Sequence, residues 1–347
     1  NNVVMGYEAL STEDTTGGVT AIGYRALKMQ NADSTSYNTA VGYQAGENVT
    51  TAVRNTFIGG LSGDATTTGG DNVALGYNAL TSNTIGNSNV AIGKDAMLTN
   101  VAADRNVAVG LGALQNMTQA TTSDTHNVAV GYAAGQNVTS GLFNNLIGGH
   151  AGLAITTGTR NVAIGYDALK SEDTGSHNVA IGHAALRDAD AGADAYNVAI
   201  GSSAGLSVTT GTQNVIVGGT AGDALTTGGR SVAIGYLALT TETGASRSVA
   251  IGADALRNQN IGSGNGYNVA IGDSAGESIT TGAQNTFIGG LAGDGLTTGN
   301  QNVGIGYLAL TAANGSENYN VAIGTGSLMN LDGSGDMWNT AVGTNSG

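Results

Sequence analysis

The chain of 347 residues contains neither cysteine nor proline. The lack of cysteine excludes disulfide bonds and thiolate metal sites. The lack of proline leaves the backbone N–H groups free to donate, as strands paired on both sides require. Charged residues make up only 10% of the chain and aromatic residues only 5%, and this composition is unlike that of an ordinary enzyme.

Two further absences concern partners. No apolar run approaches the roughly 18 residues that a membrane-spanning helix needs, so we expect no membrane insertion. The 25 acidic residues outnumber the 11 basic ones, for a formal net charge of −14. An acidic chain is repelled by DNA and anionic membranes, and we expect no nucleic-acid partner. The chain begins at Asn1 rather than at methionine, and we expect it to be a piece of a longer protein.

Glycine is abundant, with 58 residues, and it recurs at regular intervals that define an internal repeat. A glycine that follows Ile, Val, Leu or Met marks each of 20 repeats, which are 17 to 21 residues long and most often 17. The repeats fill the whole chain, so we expect a single repetitive shaft over residues 1–347 without separate domains. The marker glycines are at positions 6, 23, 42, 59, 76, 93, 110, 131, 148, 165, 182, 201, 218, 235, 252, 272, 289, 306, 324 and 343.

Each repeat has fixed positions around its marker. The residue four before the marker, here called the Asn column, is asparagine in 17 of the 20 repeats. The short run "NVAIG" alternates, is β-branched and is bounded by turn residues, so it predicts a strand. One short strand per repeat cannot bury an apolar face alone, whereas stacked coils can. The pattern therefore predicts an all-β parallel β-solenoid of 20 coils.

Two columns have specific backbone roles. The Asn column predicts a ladder of side-chain amides that bond between stacked coils, as at Asn72, Asn89, Asn106, Asn161 and Asn178. The marker glycine predicts a turn with positive φ, or a position that another backbone approaches closely.

The alternation also predicts which residues lie inside. Val and Ile point to one face of the strand, and we expect them to form apolar ladders within the solenoid. The residue two before the marker, the Ala column, points to the other face and is alanine in 14 repeats. A column of alanine suggests a second packed surface, most simply against other copies of the chain around an axis. We therefore expect a homotrimer, intertwined or side by side.

A longer period overlies the repeat. The residue four after the marker cycles through Leu, Leu, Gly, Gly, with one extra coil in the second cycle, so the larger unit is a block of about 70 residues and four coils. In the fourth coil of a block, a large residue replaces alanine and a glycine replaces the usual tyrosine just after the marker. We interpret this as a volume-conserving exchange, in which large residues plug the axis between subunits: Phe57, Leu146, Ile216 and Phe287.

The runs "NVAIG", "SVAIG" and "NTAVGYQAG" resemble the head repeats of YadA-type trimeric autotransporter adhesins and the repeats of bacteriophage tail-fibre proteins. The resemblance covers the whole chain. It implies a trimeric, left-handed parallel β-roll that serves as a rigid extracellular rod. The coils are longer than the shortest adhesin-head repeats and prefer Asn and Tyr to Ser, which favours a phage fibre.

Candidate chemistry is sparse. The turns "GGLSGD", "GGTAGD" and "GGLAGD" are similar to calcium-binding turns and point to Asp64, Asp223 and Asp294. Calcium rolls carry such turns in consecutive coils, whereas these lie about 70 residues or more apart, so turn formation is the favoured role. His126, His150, His177 and His183 lack metal-ligand spacing. We expect no cofactor, no catalytic residues and no enzyme activity.

These observations favour a structural protein: the rigid trimeric shaft of a phage tail fibre, located in the virion. Its expected partners are its own copies, other tail or fibre proteins, and a host-surface glycan or protein reached through a tip outside this chain. The alternatives are the head of a bacterial trimeric autotransporter adhesin at the cell surface and a self-assembling extracellular filament. A polysaccharide-degrading solenoid is a further alternative, and it would need a groove with paired acids.

Overall fold

A computed structural model describes residues 1–13, 17–311, 315–331 and 333–347. The fold is a parallel β-solenoid of about 20 turns, and the described residues contain no helix. The sequence-based prediction of an all-β parallel solenoid is therefore confirmed. Within the described residues, no helix has the length and apolar character needed to cross a membrane.

The chain divides into two compact units, Asn1–Ser176 and His177–Gly347. A single shaft over residues 1–347 stays a prediction. Among its described residues, the first unit contains ten parallel three-residue strands, one per coil, and one additional short pair, β7 with β9. Its strands are β1 Val3–Met5, β2 Thr20–Ile22, β3 Thr39–Val41, β4 Thr56–Ile58, β5 Val73–Leu75, β6 Val90–Ile92, β7 Ala103–Asp104, β8 Val107–Val109, β9 Ser123–Asp124, β10 Val128–Val130, β11 Asn145–Ile147 and β12 Val162–Ile164.

The second unit has the same plan, with ten three-residue strands and one short pair, β21 with β23. Its strands are β13 Val179–Ile181, β14 Val198–Ile200, β15 Val215–Val217, β16 Val232–Ile234, β17 Val249–Ile251, β18 Val269–Ile271, β19 Thr286–Ile288, β20 Val303–Ile305, β21 Glu317–Asn318, β22 Val321–Ile323, β23 Gly335–Asp336 and β24 Thr340–Val342.

Equivalent residues of neighbouring coils lie directly above one another. Ala40 pairs with Phe57, and Ala270 pairs with Phe287. Because the register never shifts, every column of the sequence becomes a ladder along its unit. The prediction for the marker glycine is confirmed on both counts: Gly76, for example, has a φ of +141°. A Cβ placed on it would lie 2.6 Å from the carbonyl oxygen of Gly93 on the next coil, so no larger residue fits.

Left-handed residues turn the corners of each coil. Positive φ recurs five before the marker, two after it and four after it, as at Arg230, Leu237 and Leu239 around Gly235. Outside glycine, such a conformation costs roughly 1–2 kcal/mol per residue. Burial offsets this cost at the last position, where Leu239 is fully buried. The sequence analysis did not anticipate these left-handed leucines.

The prediction of which strand face lies inside was wrong. Described residues of the Ala column from Ala21 to Ala322 are essentially inaccessible within the single chain, whereas the flanking Val and Ile residues are half-buried or exposed. The interior is also lined by the residues three, four and seven after the marker. These columns leave room for only a small side chain on the strand, so the larger Val and Ile point outward.

The position expected for the axial plugs was wrong for the same reason. Phe57, Leu146, Ile216 and Phe287 are at most 1% exposed within one chain, so they cannot fill space between subunits. They do take part in an exchange of volume, but with a different glycine. A Cβ on Gly63, four after the marker, would lie 2.6 Å from Cδ1 of Phe57. The large strand residue therefore occupies the space that a leucine fills in other coils.

The asparagine side chains run as a buried ladder along each unit. The side-chain oxygen of Asn72 accepts the N–H of Asn89 at 3.0 Å, and that of Asn89 accepts the N–H of Asn106 at 3.0 Å. The Asn72 amide also donates to the carbonyl oxygen of Gly86 at 2.9 Å. Asn161 donates its N–H to Asn144 at 3.0 Å, and Asn178 accepts the N–H of Asn197 at 3.2 Å. Each amide thus links its own coil to the next.

Candidate functional site

The most extensive apolar surface is the outer strand face, formed by the residues three before and one before each marker. Val73 is 37% exposed and Leu75 is 44% exposed on β5, and the pattern repeats on other strands. Ten strands at about 4.8 Å spacing make a stripe about 48 Å long in each unit, with an area on the order of 500 Å². A patch of this size matches the largest apolar patch of a typical monomer, which is often functional.

A column of exposed tyrosines borders the outer strand face, just after the marker. The rings of Tyr7 and Tyr24 stack at 5.6 Å, and those of Tyr24 and Tyr43 stack at 5.2 Å. In the fourth coil of a block, the glycine of this column gives space to the next ring: a Cβ on Gly60 would lie 3.4 Å from Cδ2 of Tyr77. The same relation holds at Gly149, Gly219 and Gly290. This glycine accommodates a surface tyrosine and has no part in accommodating Phe57.

A second exposed ladder, the corner column, consists of the residues five before each marker. Aromatic and arginine side chains are frequent there and stack on successive coils. His126 lies on Phe143 at 5.6 Å, and the Arg160 guanidinium lies over the same ring at 5.4 Å. Tyr319 stacks on Trp338 at 4.1 Å. Such flat groups present a surface suited to stacking against a ligand or a neighbouring molecule.

The three candidate calcium aspartates are not brought together. Asp223 and Asp294 lie four coils apart in the second unit, about 19 Å along the stack, and Asp64 belongs to the first unit. Thr240 donates its hydroxyl to Asp223, and Thr311 donates its hydroxyl to Asp294. These contacts between neighbouring coils support a role in turn structure.

Asp64 differs from its two equivalents. One carboxylate oxygen of Asp64 is buried without a hydrogen-bond partner. The pKa of the Asp64 carboxyl is raised to about 6, chiefly by burial; backbone N–H groups oppose this shift, and the Glu47 carboxylate adds to it. Burial also raises the pKa of Asp294, but the Thr311 hydroxyl opposes that shift. Asp64 is therefore a titratable group within the fold.

Three of the histidines are members of surface stacks. His150 lies between the rings of Tyr132 and Tyr166, and its Nδ1 lies 3.0 Å from an Asp167 oxygen. His177 stacks on Tyr196 at 4.7 Å, and His126 stacks on Phe143 as described above. These three side chains thus take part in ring stacking between neighbouring coils.

Sequence reasoning missed a set of buried acids seven after the marker. Glu242 is fully buried, and its carboxylate accepts the N–H of Ala245 at 2.8 Å and of Ile261 at 3.1 Å. The Gln259 amide of the next coil donates to it at 3.0 Å. Acidic or amide residues stand at this position in six of the ten repeats whose residue four after the marker is leucine, and in none of the repeats where that residue is glycine. This correlation was the available signal.

No protein-family model matches the chain, and a search of curated proteins finds no match either. The function must therefore be argued from surfaces. The described residues present a flat apolar face and two stacked ladders, and both features are suited to association with other molecules.

Proposed function

We propose that the chain is the shaft of a trimeric fibre, in which three copies pack through their outer strand faces. The supporting observation is that one chain buries its Ala column and leaves Val and Ile outside. Apolar side chains so exposed gain free energy when copies cover them, at about 25 cal/mol per Å². From Ala21 to Ala322, the Ala column itself is buried within one chain and offers no surface to another copy.

The number of copies and the left-handed winding come from the resemblance to tail-fibre and adhesin-head repeats. A cyclic assembly is supported by the repetitive face, since each copy offers the same stripe to its neighbours. The proposed role is mechanical: a rigid shaft in the virion of a phage, joined to other tail or fibre proteins. It would carry a tip that binds a host-surface glycan or protein.

The assembly is tested by placing a charge on the outer strand face. Ile164→Asp introduces a carboxylate at a residue that is 36% exposed in the single chain. We expect it to dissociate the trimer, because a buried unpaired charge is strongly unfavourable. Thr157→Asp, at an exposed turn of the same unit, is the matched control and should remain trimeric. Light scattering coupled to size-exclusion chromatography gives the mass, and a wild-type monomer would refute the proposal.

The location is tested separately. An antibody raised against the chain should label the fibres of purified phage particles in electron micrographs of the source culture. Labelling of the bacterial envelope in cultures free of phage would instead support the adhesin alternative. This result would leave the trimeric assembly intact and would overturn only the assignment to the virion.

A further inference from the structure

Two arginines of the second unit occupy the corner column on successive coils. Arg230 and Arg247 stand five before the markers Gly235 and Gly252. Both border a shallow surface groove with a volume of about 210 Å³. Four hydroxyl-bearing residues, Gly229 and Asn265 line the rest of it; the four are Thr210, Thr212, Thr227 and Ser246.

The charge of this groove is opposite to that of its unit. Residues 177–347 contain four arginines, no lysine and twelve acidic residues, for a formal charge of −8. Arg187 and Arg257 pair with carboxylates. Arg230 instead donates from Nε to the Gln213 side-chain oxygen at 2.9 Å, and Arg247 donates from a terminal nitrogen to the Tyr267 hydroxyl at 2.8 Å. Both guanidinium groups are thus held by neutral partners, and neither forms an ion pair with a residue that the structure describes.

The corner column of the first unit shows the contrasting arrangement. Arg54 pairs with Asp71 of the next coil, with a nitrogen to oxygen distance of 2.8 Å, and Arg105 pairs with Asp124. Stacking places the next corner residue about 4.8 Å along the ladder. Next to Arg230 that residue is a second arginine instead of an acid. The like charges repel each other unless an anion lies between them.

The hydroxyl groups of the groove have free hydrogen-bonding capacity. The side chains of Thr210, Thr212 and Thr227 form no hydrogen bond with any described residue. By contrast, the preceding threonine of each such turn is already engaged, since Thr209 and Thr226 donate to carbonyl oxygens of the next coil. Two guanidinium groups and several free hydroxyls together offer the donors that an oxyanion accepts.

We propose that this groove binds the sulfate or phosphate ester group of a sugar. Its volume lies below the roughly 300–1,000 Å³ of sites for drug-sized ligands, so it accommodates one small charged group rather than a chain of sugars. This inference goes beyond the mechanical role, because the side of the shaft would itself contact a glycan. It does not depend on the number of copies in the assembly.

The test uses the full chain and four probes: N-acetylglucosamine 6-sulfate, N-acetylglucosamine 6-phosphate, N-acetylglucosamine and inorganic sulfate. Titration calorimetry at constant ionic strength measures each affinity. We expect the charged probes to bind and the uncharged sugar to bind at least tenfold more weakly. The ratio between the two esters identifies the preferred group. Arg230→Gln/Arg247→Gln should weaken binding of the charged sugars at least tenfold, because it removes charge-assisted hydrogen bonds.

The matched control is Arg54→Gln/Arg105→Gln, which removes the same charge from the same column of the first unit. It should change the affinity by less than twofold. The proposal is overturned if the control loses as much affinity as the site variant, since binding would then follow net charge alone. It is also overturned if wild-type protein binds the esters no better than the uncharged sugar. Circular dichroism of each variant verifies that it is folded.

Discussion

The ring of Phe287 covers Gly293 so closely that a Cβ at position 293 would lie 2.7 Å from the ring carbon Cζ. In a neighbouring type of coil the same two positions hold Ala233 and Leu239, both buried. This interior space is therefore filled from the strand in one type of coil and from the following turn in another, whereas a third type has only Ala and Gly at the two positions.

This relation predicts compensation between two core substitutions. Phe287→Ala leaves a cavity and should lower the free energy of unfolding by about 3–5 kcal/mol. Gly293→Leu alone should also destabilise, because its side chain meets the Phe287 ring. The double variant recreates the Ala233 and Leu239 arrangement and should be more stable than either single variant. Urea denaturation followed by circular dichroism measures all three, and additive losses would contradict the shared space.

The marker glycines should not tolerate even alanine. A Cβ on Gly235 would collide with the carbonyl group of Gly252, at a φ of +137° that side-chain-bearing residues rarely adopt. Gly235→Ala should therefore cost more than about 4 kcal/mol, since backbone from two coils must separate. Gly262 is the matched control: its φ is +78°, and nothing lies within 4 Å of an added Cβ. Gly262→Ala should cost only about 1 kcal/mol, and equal melting temperatures for the two variants would refute the explanation.

The asparagine ladder predicts a local loss of backbone protection. Asn72→Ala removes the acceptor of the buried Asn89 N–H and one of the two donors to the Gly86 carbonyl, which keeps only the Asn83 amide. We expect a loss of about 2–4 kcal/mol and faster hydrogen exchange at Asn89. Asn116→Ala, which removes one half-buried side-chain contact to Asn137, should cost less than about 1 kcal/mol. Unchanged exchange at Asn89 would show that the ladder is not needed.

The raised pKa of Asp64 predicts that the stability of the fold depends on pH. The folded-state pKa is raised to about 6 from the ordinary 3.8, so the folded chain binds this proton more tightly than the unfolded chain does. Stability therefore falls as pH rises from 3.8 through 6, and the full penalty is present at pH 7. Asp64→Asn should stabilise by about 1 kcal/mol at pH 7, since the carboxyl is only half-buried, and by nothing at pH 3.5.

A carboxyl with the opposite shift provides the control for this experiment. The Arg54 guanidinium lowers the pKa of Asp71, so Asp71→Asn should slightly destabilise at pH 7. Thermal unfolding of both variants and the wild type at pH 3.5 and pH 7 gives the comparison. A stabilisation by Asp64→Asn that is equal at the two pH values would contradict the titration of Asp64.

Much of the backbone structure was predictable because the same sequence pattern recurs in each repeat. The period places one strand in every coil, and the position of Gly76 required a residue without a side chain. The unshifted strand register then follows, because each marker glycine must lie against the marker glycine of the next coil. These properties depend on backbone conformation, which Asn, Gly and β-branched residues indicate directly.

The face of each strand that lies inside the solenoid was not predictable in the same way. A period of two separates Ala74 from Val73 and Leu75 but does not assign either face to the core. Hydrophobicity alone places Val73 inside. The interior is instead filled by Leu80, a left-handed residue in the following turn, and its contribution depends on how the coil closes. The groove beside Arg230 and Arg247 likewise depends on how the turns of successive coils pack.

The interior space shared by Phe287 and Gly293 also constrains how such a gene can change length. A coil with leucine four after its marker can stack on another coil of the same kind. The extra coil around Met97 shows that the chain tolerates an additional coil at this place. Unequal recombination at these coils adds or removes about 4.8 Å without a mismatch in the interior. A coil of the Phe57 type also needs glycine in the preceding coil, at Gly46, so it is inherited together with its neighbour.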